Sequence, residues 1–209
     1  GSIIIAGATS ADEALSFTMA DDSTVTTNTG TITVRANAIT LDNLTTTGNV
    51  VLDANAATGN VTTIASGKVS AADLNVSVAT TDDIILTTDV QTLTTAAGDT
   101  VTITEDDDIT LTDITTDNGA AVTVLAGNNV IVGNVATDVS PASNGTVSIT
   151  STNASVTENT DATADVFTGV LTVVADQNID LDTDVTSVIF TATNGTVNID
   201  EVAAGVDLT

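Results

Sequence analysis

The chain has no cysteine, histidine, tryptophan or tyrosine, a single proline at Pro141, and only two basic residues, Arg35 and Lys68. Each absence removes a class of protein. Without cysteine there is neither a disulfide scaffold nor a thiolate metal site. Without histidine, imidazole ligation and the usual nucleophile–base pairs are gone, and the many serines and threonines have no partner base. Paired acids of the kind that cut polysaccharide are still present, but the Arg, Lys and aromatic rings that grip sugar are reduced to two isolated bases and three Phe. Two bases against 28 acids give a net charge of −26, a field that repels nucleic acid and anionic lipid. No apolar run approaches the length of a membrane span. Ser2–Ala6 is too short and lacks the basic flank of a secretory signal, so an exported form would be a mature or excised piece. The enzyme classes are therefore disfavoured, and a non-enzymatic role is expected.

What is present is aliphatic and hydroxylic. Of 209 residues 42% are apolar, nearly all Ala, Val, Ile and Leu, with three Phe and one Met. A compact globule of this size normally fills its centre with aromatics. Branched aliphatics alone suit a narrow core lined by strands, where Val, Ile and Thr also fit the pleated backbone. The expected class is all-β.

One short phrase organises the second half: a turn residue, usually Gly, then aliphatics at alternate positions. It occurs at Gly98–Ile103, Gly119–Val124, Gly145–Ile149, Gly169–Val173 and Gly195–Ile199. Its first inward residues, Val101, Val122, Val147, Leu171 and Val197, are 21, 25, 24 and 26 residues apart. A second phrase, led more often by Asp or Asn, follows 8 or 9 residues later: Ile109-x-Leu111, Val130-x-Val132, Val156, Ile179-x-Leu181 and Val206-x-Leu208. Two interleaved series with a near-constant offset and a drifting period predict the coils of a solenoid with insertions at some corners. Earlier copies begin at Gly30 and Gly48, but register between residues 59 and 98 cannot be assigned from spacing. About eight coils fit, a rod of roughly 40 Å at about 4.8 Å per coil. Tandem β-sandwich (Ig-like) domains are the alternative, since they too show short alternating strands.

Residues 1–23 differ from the rest. Ile3–Ile5 predicts a buried strand. Ser10-Ala-Asp-Glu13 is a capping-box pattern that predicts a short helix to about Ala20, broken by Asp21-Asp22-Ser23. This segment is expected to cap the solenoid of residues 24–209, or to be a connector to another molecule.

Gly48-Asn-Val-Val-Leu52, Gly145-Thr-Val-Ser-Ile-Thr150, Asn178-Ile-Asp-Leu181 and Asn194-Gly-Thr-Val-Asn-Ile199 resemble the degenerate repeats of filamentous-haemagglutinin-type exoproteins and related bacterial β-helix adhesins. The resemblance covers residues 24–209 and lies in the repeat pattern. It implies a right-handed parallel β-helix displayed or secreted at a cell surface. The expected function is a structural subunit that self-associates through the solenoid ends into a filament, sheath or layer. A stalk or ligand-binding adhesin module of a larger exoprotein is the alternative. Head-to-tail contacts between complementary ends would not close, and the phrase Val206-Asp-Leu208 leads the carboxy-terminal end to be expected open.

The acids are the remaining chemistry. Most are Asp, which favours turns and corner conformations, so corner placement explains much of the excess. Two groups stand out as candidate metal ligands. Asp180, Asp182 and Asp184 alternate, hence share one outward face if Ile179 and Leu181 point in. Asp106, Asp107 and Asp108 sit at a corner beside Glu105, with Asp82-Asp83 at an equivalent corner. All-oxygen clusters suit Ca²⁺. Neither group has the Gly and distal Glu of an EF-hand loop. Asn-x-Ser/Thr triplets begin at Asn43, Asn60, Asn75, Asn144, Asn153 and Asn194, a number that chance allows in so Asn- and Thr-rich a chain. Thr-x-Thr pairs such as Thr31/Thr33, Thr100/Thr102 and Thr110/Thr112 are like those of ice-binding solenoids, but coil lengths that vary by several residues are expected to spoil a regular array.

Overall fold

Alternation of aliphatic and hydroxyl residues dictates extended backbone with one buried side. In the computed structural model of the protein, which describes residues 1–6, 16–54, 59–79, 81–96, 98–117, 119–137, 144–159, 163–201 and 207–208, strands are all that form. Among these residues there is no helix, and the strands pair in parallel with the coils before and after them. The fold is a β-solenoid of about eight turns. Sandwich strands run antiparallel, so the alternative is overturned.

Two long sheets share the coils. One stacks Ile3–Ala6, Ile32–Arg35, Asn49–Ala54, residues 73–78 and 92–96, then Ile109–Thr115 and Val130–Val132. It continues through Val156–Glu158 and residues 179–183 to Val197–Glu201. Whereas the earlier copies expected at Gly30 and Gly48 put Ile32 and Val50 on this sheet, the other carries the first phrase from Val101 to Leu171. Its inward column is Ile39, Val61, Ile84, Val101, Val122, Val147, Leu171 and Val188, each at most 2% exposed. A short third side, Thr24–Thr26 with residues 43–45, 68–70 and 88–90, closes the earlier coils. The core is one continuous aliphatic column between these walls.

Three expectations are corrected. First, the last two phrases exchange sheets. Val188, not Val197, stacks on Leu171, while Val197 stacks on Ile179 and Leu208 on Val188. The coil from Leu171 to Val188 is only 17 residues long, because residues 179–192 run as one strand, Ile179–Ala192, around a corner that earlier coils spend on a loop. Second, the illegible stretch is two long strands of the same kind, Val61–Val78 and Ile84–Ala96. Their register slips between Thr62/Ile85 and Val69/Thr88, so seven steps of one coil oppose three of the next. Third, the predicted helix fails where it can be seen. The capping box, Ala14 and Leu15 lie outside the described residues, but Phe17–Thr18 is a strand on Ile39–Thr40 and Met19 is buried. The reason is tertiary: the Phe17 and Met19 N–H groups donate to the Ala38 and Thr40 carbonyls at 2.8 and 2.9 Å, and pairing to a waiting edge outweighs weak local propensity. Asp22, at φ 62, turns the chain in the left-handed region that Asp tolerates.

Corners are tight. A Cβ on Gly127 would lie 2.0 Å from the Asp106 carbonyl oxygen of the coil below, and Gly119 holds a turn at φ +73; only glycine meets both demands without strain.

Leu111, fully buried, and Ile131, an outward residue on the neighbouring strand, make a matched pair. Leu111→Ala is expected to cost about 2–5 kcal/mol in denaturant unfolding and Ile131→Ala less than about 0.5 kcal/mol. Equal costs would contradict the inward column.

Candidate functional site

The residue that precedes each strand of the second phrase explains why that phrase is led by Asp or Asn. Asp108 Oδ1 accepts from the backbone N–H and the side-chain amide of Asn129, at 2.8 and 3.0 Å. Asn129 Oδ1 accepts from Ser155 N–H, Ser155 Oγ from Asn178 N–H, and Asn178 Oδ1 from both Thr196 N–H and its hydroxyl. Each coil's polar side chain thus satisfies the donor that enters the next coil's strand. The same device runs along another corner, where Asn60 Oδ1 accepts from Asp83 N–H and Asp83 Oδ1 from Thr100 N–H. Much of the Asp and Asn content is therefore structural.

One corner carries more charge than this role requires. Asp89 of one coil and Glu105 and Asp107 of the next each bring a carboxylate oxygen within 4.8 Å of the others. Asp107 and half-buried Asp89 face solvent, whereas Glu105 is buried in the inward column between Thr88 and Ala126. Its Oε1 accepts from Asp106 N–H at 3.1 Å, and both oxygens accept from Val90 N–H at 3.3 and 3.2 Å. Burial pushes the Glu105 carboxyl up to about 7, against the opposing pull of Thr88 and the backbone donors. Beside the group, Lys68 reaches across two coils, its Nζ 2.8 Å from Asp106 and 3.6 Å from Asp89. The Asp106 hydrogen bond and these two charges raise the Lys68 ammonium above its ordinary value. The corner offers the all-oxygen chemistry that suits a hard cation, with an ammonium already standing at its edge.

The predicted ligands are dispersed. Asp106, Asp107 and Asp108 part three ways: to Lys68, to the acidic group and to Asn129. Asp180, Asp182 and Asp184 do share the outward face of Ile179–Ala192, but alternate strand positions stand about 7 Å apart. Asp180 is engaged by the Asn198 amide at 2.7 Å. Among the described residues they form no close group, and the one close group contains Asp89 and Glu105 instead. Asp89 carries no local signal. Its place follows from a register that slips in the coil below, which spacing does not reveal.

The corner opens onto a groove along the rod. A stretch of about 520 Å³ is lined by Asp89, Gln91, Asp107, Asp108, Asn129 and Thr157. An adjoining stretch of about 540 Å³ shares Ala71, Asp89 and Gln91 and continues past Ser70 and Thr46 to Thr26. It exposes hydroxyls, amides and carboxylates. Glu105, with both oxygens on backbone donors, lies beneath the floor. In comparisons with known proteins, no family, no curated protein and no solved structure matches this chain.

Two outcomes follow. Asn129→Ala removes one rung of the ladder and is expected to cost about 1 kcal/mol of stability by denaturant unfolding; an unchanged midpoint would contradict the ladder's role. A carboxyl whose folded value is raised from 4.5 to about 7 contributes stability when protonated, and that contribution is lost as pH rises through about 7. With chelator present, the wild type is therefore expected to lose melting temperature relative to Glu105→Gln between about pH 5 and about pH 8. A pH-independent difference would contradict the burial of that charge.

Proposed function

We propose that this chain is a non-enzymatic structural β-solenoid of the cell exterior whose rods join end to end, in the manner of the exoprotein and adhesin repeats it resembles. The observation that carries the reading is the pair of open edges. Among the described strands, Ile3–Ala6 is paired only with Ile32–Arg35, and Val197–Glu201 only with the strand Ile179–Ala192. Both lie on the same sheet. Partly buried Ile3 and Ile5 on one edge and Ile199 on the other continue the core's inward alternation, while Val197 is 47% exposed. Unpaired edges with apolar inward positions recruit further strands, and two different ends meeting head to tail propagate rather than close. Further coils of a longer polypeptide would satisfy the same edges, which is the stalk reading. Ca²⁺ enters this proposal at the Asp89–Glu105–Asp107 corner, where it would relieve repulsion along a rod of net charge −26.

Electron microscopy of the purified chain, with Ca²⁺ or with chelator, tests the reading. Rods in whole-number multiples of roughly 40 Å are expected, shortened to single units by Ile5→Lys at the edge. Monodisperse single particles in both conditions would overturn it.

A further inference from the structure

Acids are distributed unevenly over the rod, and the middle of one face has none. The outward positions of the second sheet run through Ile85 and Thr87, Thr102 and Thr104, Thr123 and Leu125, Ser148 and Thr150, Thr172 and Val174, and Ile189 and Thr191. The outer flanking positions are Thr100, Ala121, Thr146, Val170 and Ser187, a row that ends in Asp83 on one side and Asp207 on the other. Between those two ends no charged residue occurs on the face, in a chain with 28 acids. The other long sheet carries Arg35, Asp53, Asp113, Asp180 and Asp182 on its outer side. Asp83, Asp99, Asp106 and Asp176 stand at the margins of the neutral face. Four of the seven large aliphatics exposed among the described residues, Ile85, Leu125, Val170 and Ile189, lie on it. The face is also regular. Five strands, from Val101–Glu105 to residues 188–192, meet without a register slip, because the variable coil lengths are absorbed elsewhere. This reverses the expectation that they would break up the outward threonine rows.

We propose that this face binds a second copy of the same chain, so that two rods lie side by side, sheet against sheet. Charge selects the partner and the face together. Two molecules of net charge −26 repel wherever their acids oppose, and among the described residues it is the middle of this face that lets them approach at the about 10 Å sheet spacing without opposing a carboxylate. Area agrees. About six coil spacings of about 4.8 Å by five residues of about 3.3 Å give roughly 500 Å² per copy, or about 1,000 Å² for the pair, the lower bound of a specific interface. Each rod has one such face, so association stops at two. The contact is lateral and independent of end-to-end joining.

Small-angle scattering separates the two, because the cross-section reports lateral pairing and the length reports end contacts. The wild type is expected to pass from the mass per unit length of one rod to that of two as concentration rises. Salt is expected to strengthen pairing, because screening weakens the surrounding repulsion. Thr123→Asp and Thr172→Asp, outward substitutions checked for an unchanged circular dichroism spectrum, are expected to hold the cross-section at one rod. Thr157→Asp on the other sheet is expected to leave pairing intact. A single-rod cross-section for the wild type at all concentrations and salts would overturn the proposal, as would equal loss in Thr157→Asp. So would rods that stay single and adsorb to ice through the threonine rows, since the face would then have another occupant.

Discussion

Neighbouring coils must meet in register, and the rest of the structure depends on it. Side chains alternate with period two along a strand, so a slip of one residue would turn every aliphatic of a coil outward. A slip of two keeps the same side chains inward, and stacked aliphatics resist it weakly, because Val, Ile and Leu replace one another with little cost in a column. The chain of acceptors from Asp108 through Asn129, Ser155 and Asn178 to Thr196 is more exacting, since each side-chain oxygen must meet one N–H of the next coil. Hydrophobic burial sets which residues face inward, and the polar corners set which residues of neighbouring coils meet.

The same corners organise the charge. Asp placed at turns satisfies backbone donors and keeps the acids at edges and margins, which leaves one broad sheet face neutral. The two bases sit where repulsion between coils is greatest. Arg35 Nε lies 3.5 Å from Asp53 of the next coil, and Lys68 draws together Asp89 and Asp106 from the two coils beyond its own. Where the supply of bases ends, burial neutralises instead. Glu105, in the inward column, is raised toward neutrality rather than paired. A rod so arranged keeps like charges off the middle of the neutral flank, its proposed lateral contact.

The class of fold, the approximate coil count and the inward residues from Val101 to Leu171 were legible in the sequence because burial there imposes a strict alternation. The final coil was not. Gly195-Thr-Val-Asn-Ile199 has the form of the first phrase, yet Val197 stands on Ile179, because strand 179–192 takes a corner without a loop and shortens the coil. Phe17–Met19 was misjudged for a related reason: its partner edge is 22 residues away at Ile39 and leaves no trace in local pattern. The acidic site was half legible. Asp107 stood in an obvious run, but Asp89 joins it only through pairing across coils, and Asp180, Asp182 and Asp184 share a face without converging. Residue types announced the chemistry, and register chose the partners.

Because the natural chain has no cysteine, paired spin labels can be placed on it cleanly, and the exchange of sheets by the last phrases tests the register account most directly. Labels at Asn198→Cys and Asp180→Cys sit on Cα partners of adjacent strands, about 5 Å apart, whereas Asn198→Cys and Thr172→Cys lie on different sheets. Strong dipolar broadening is predicted for the first pair and weak broadening for the second. The reverse, a close contact between positions 198 and 172, would mean that spacing along the chain, not the polar corners, sets the register of the coils.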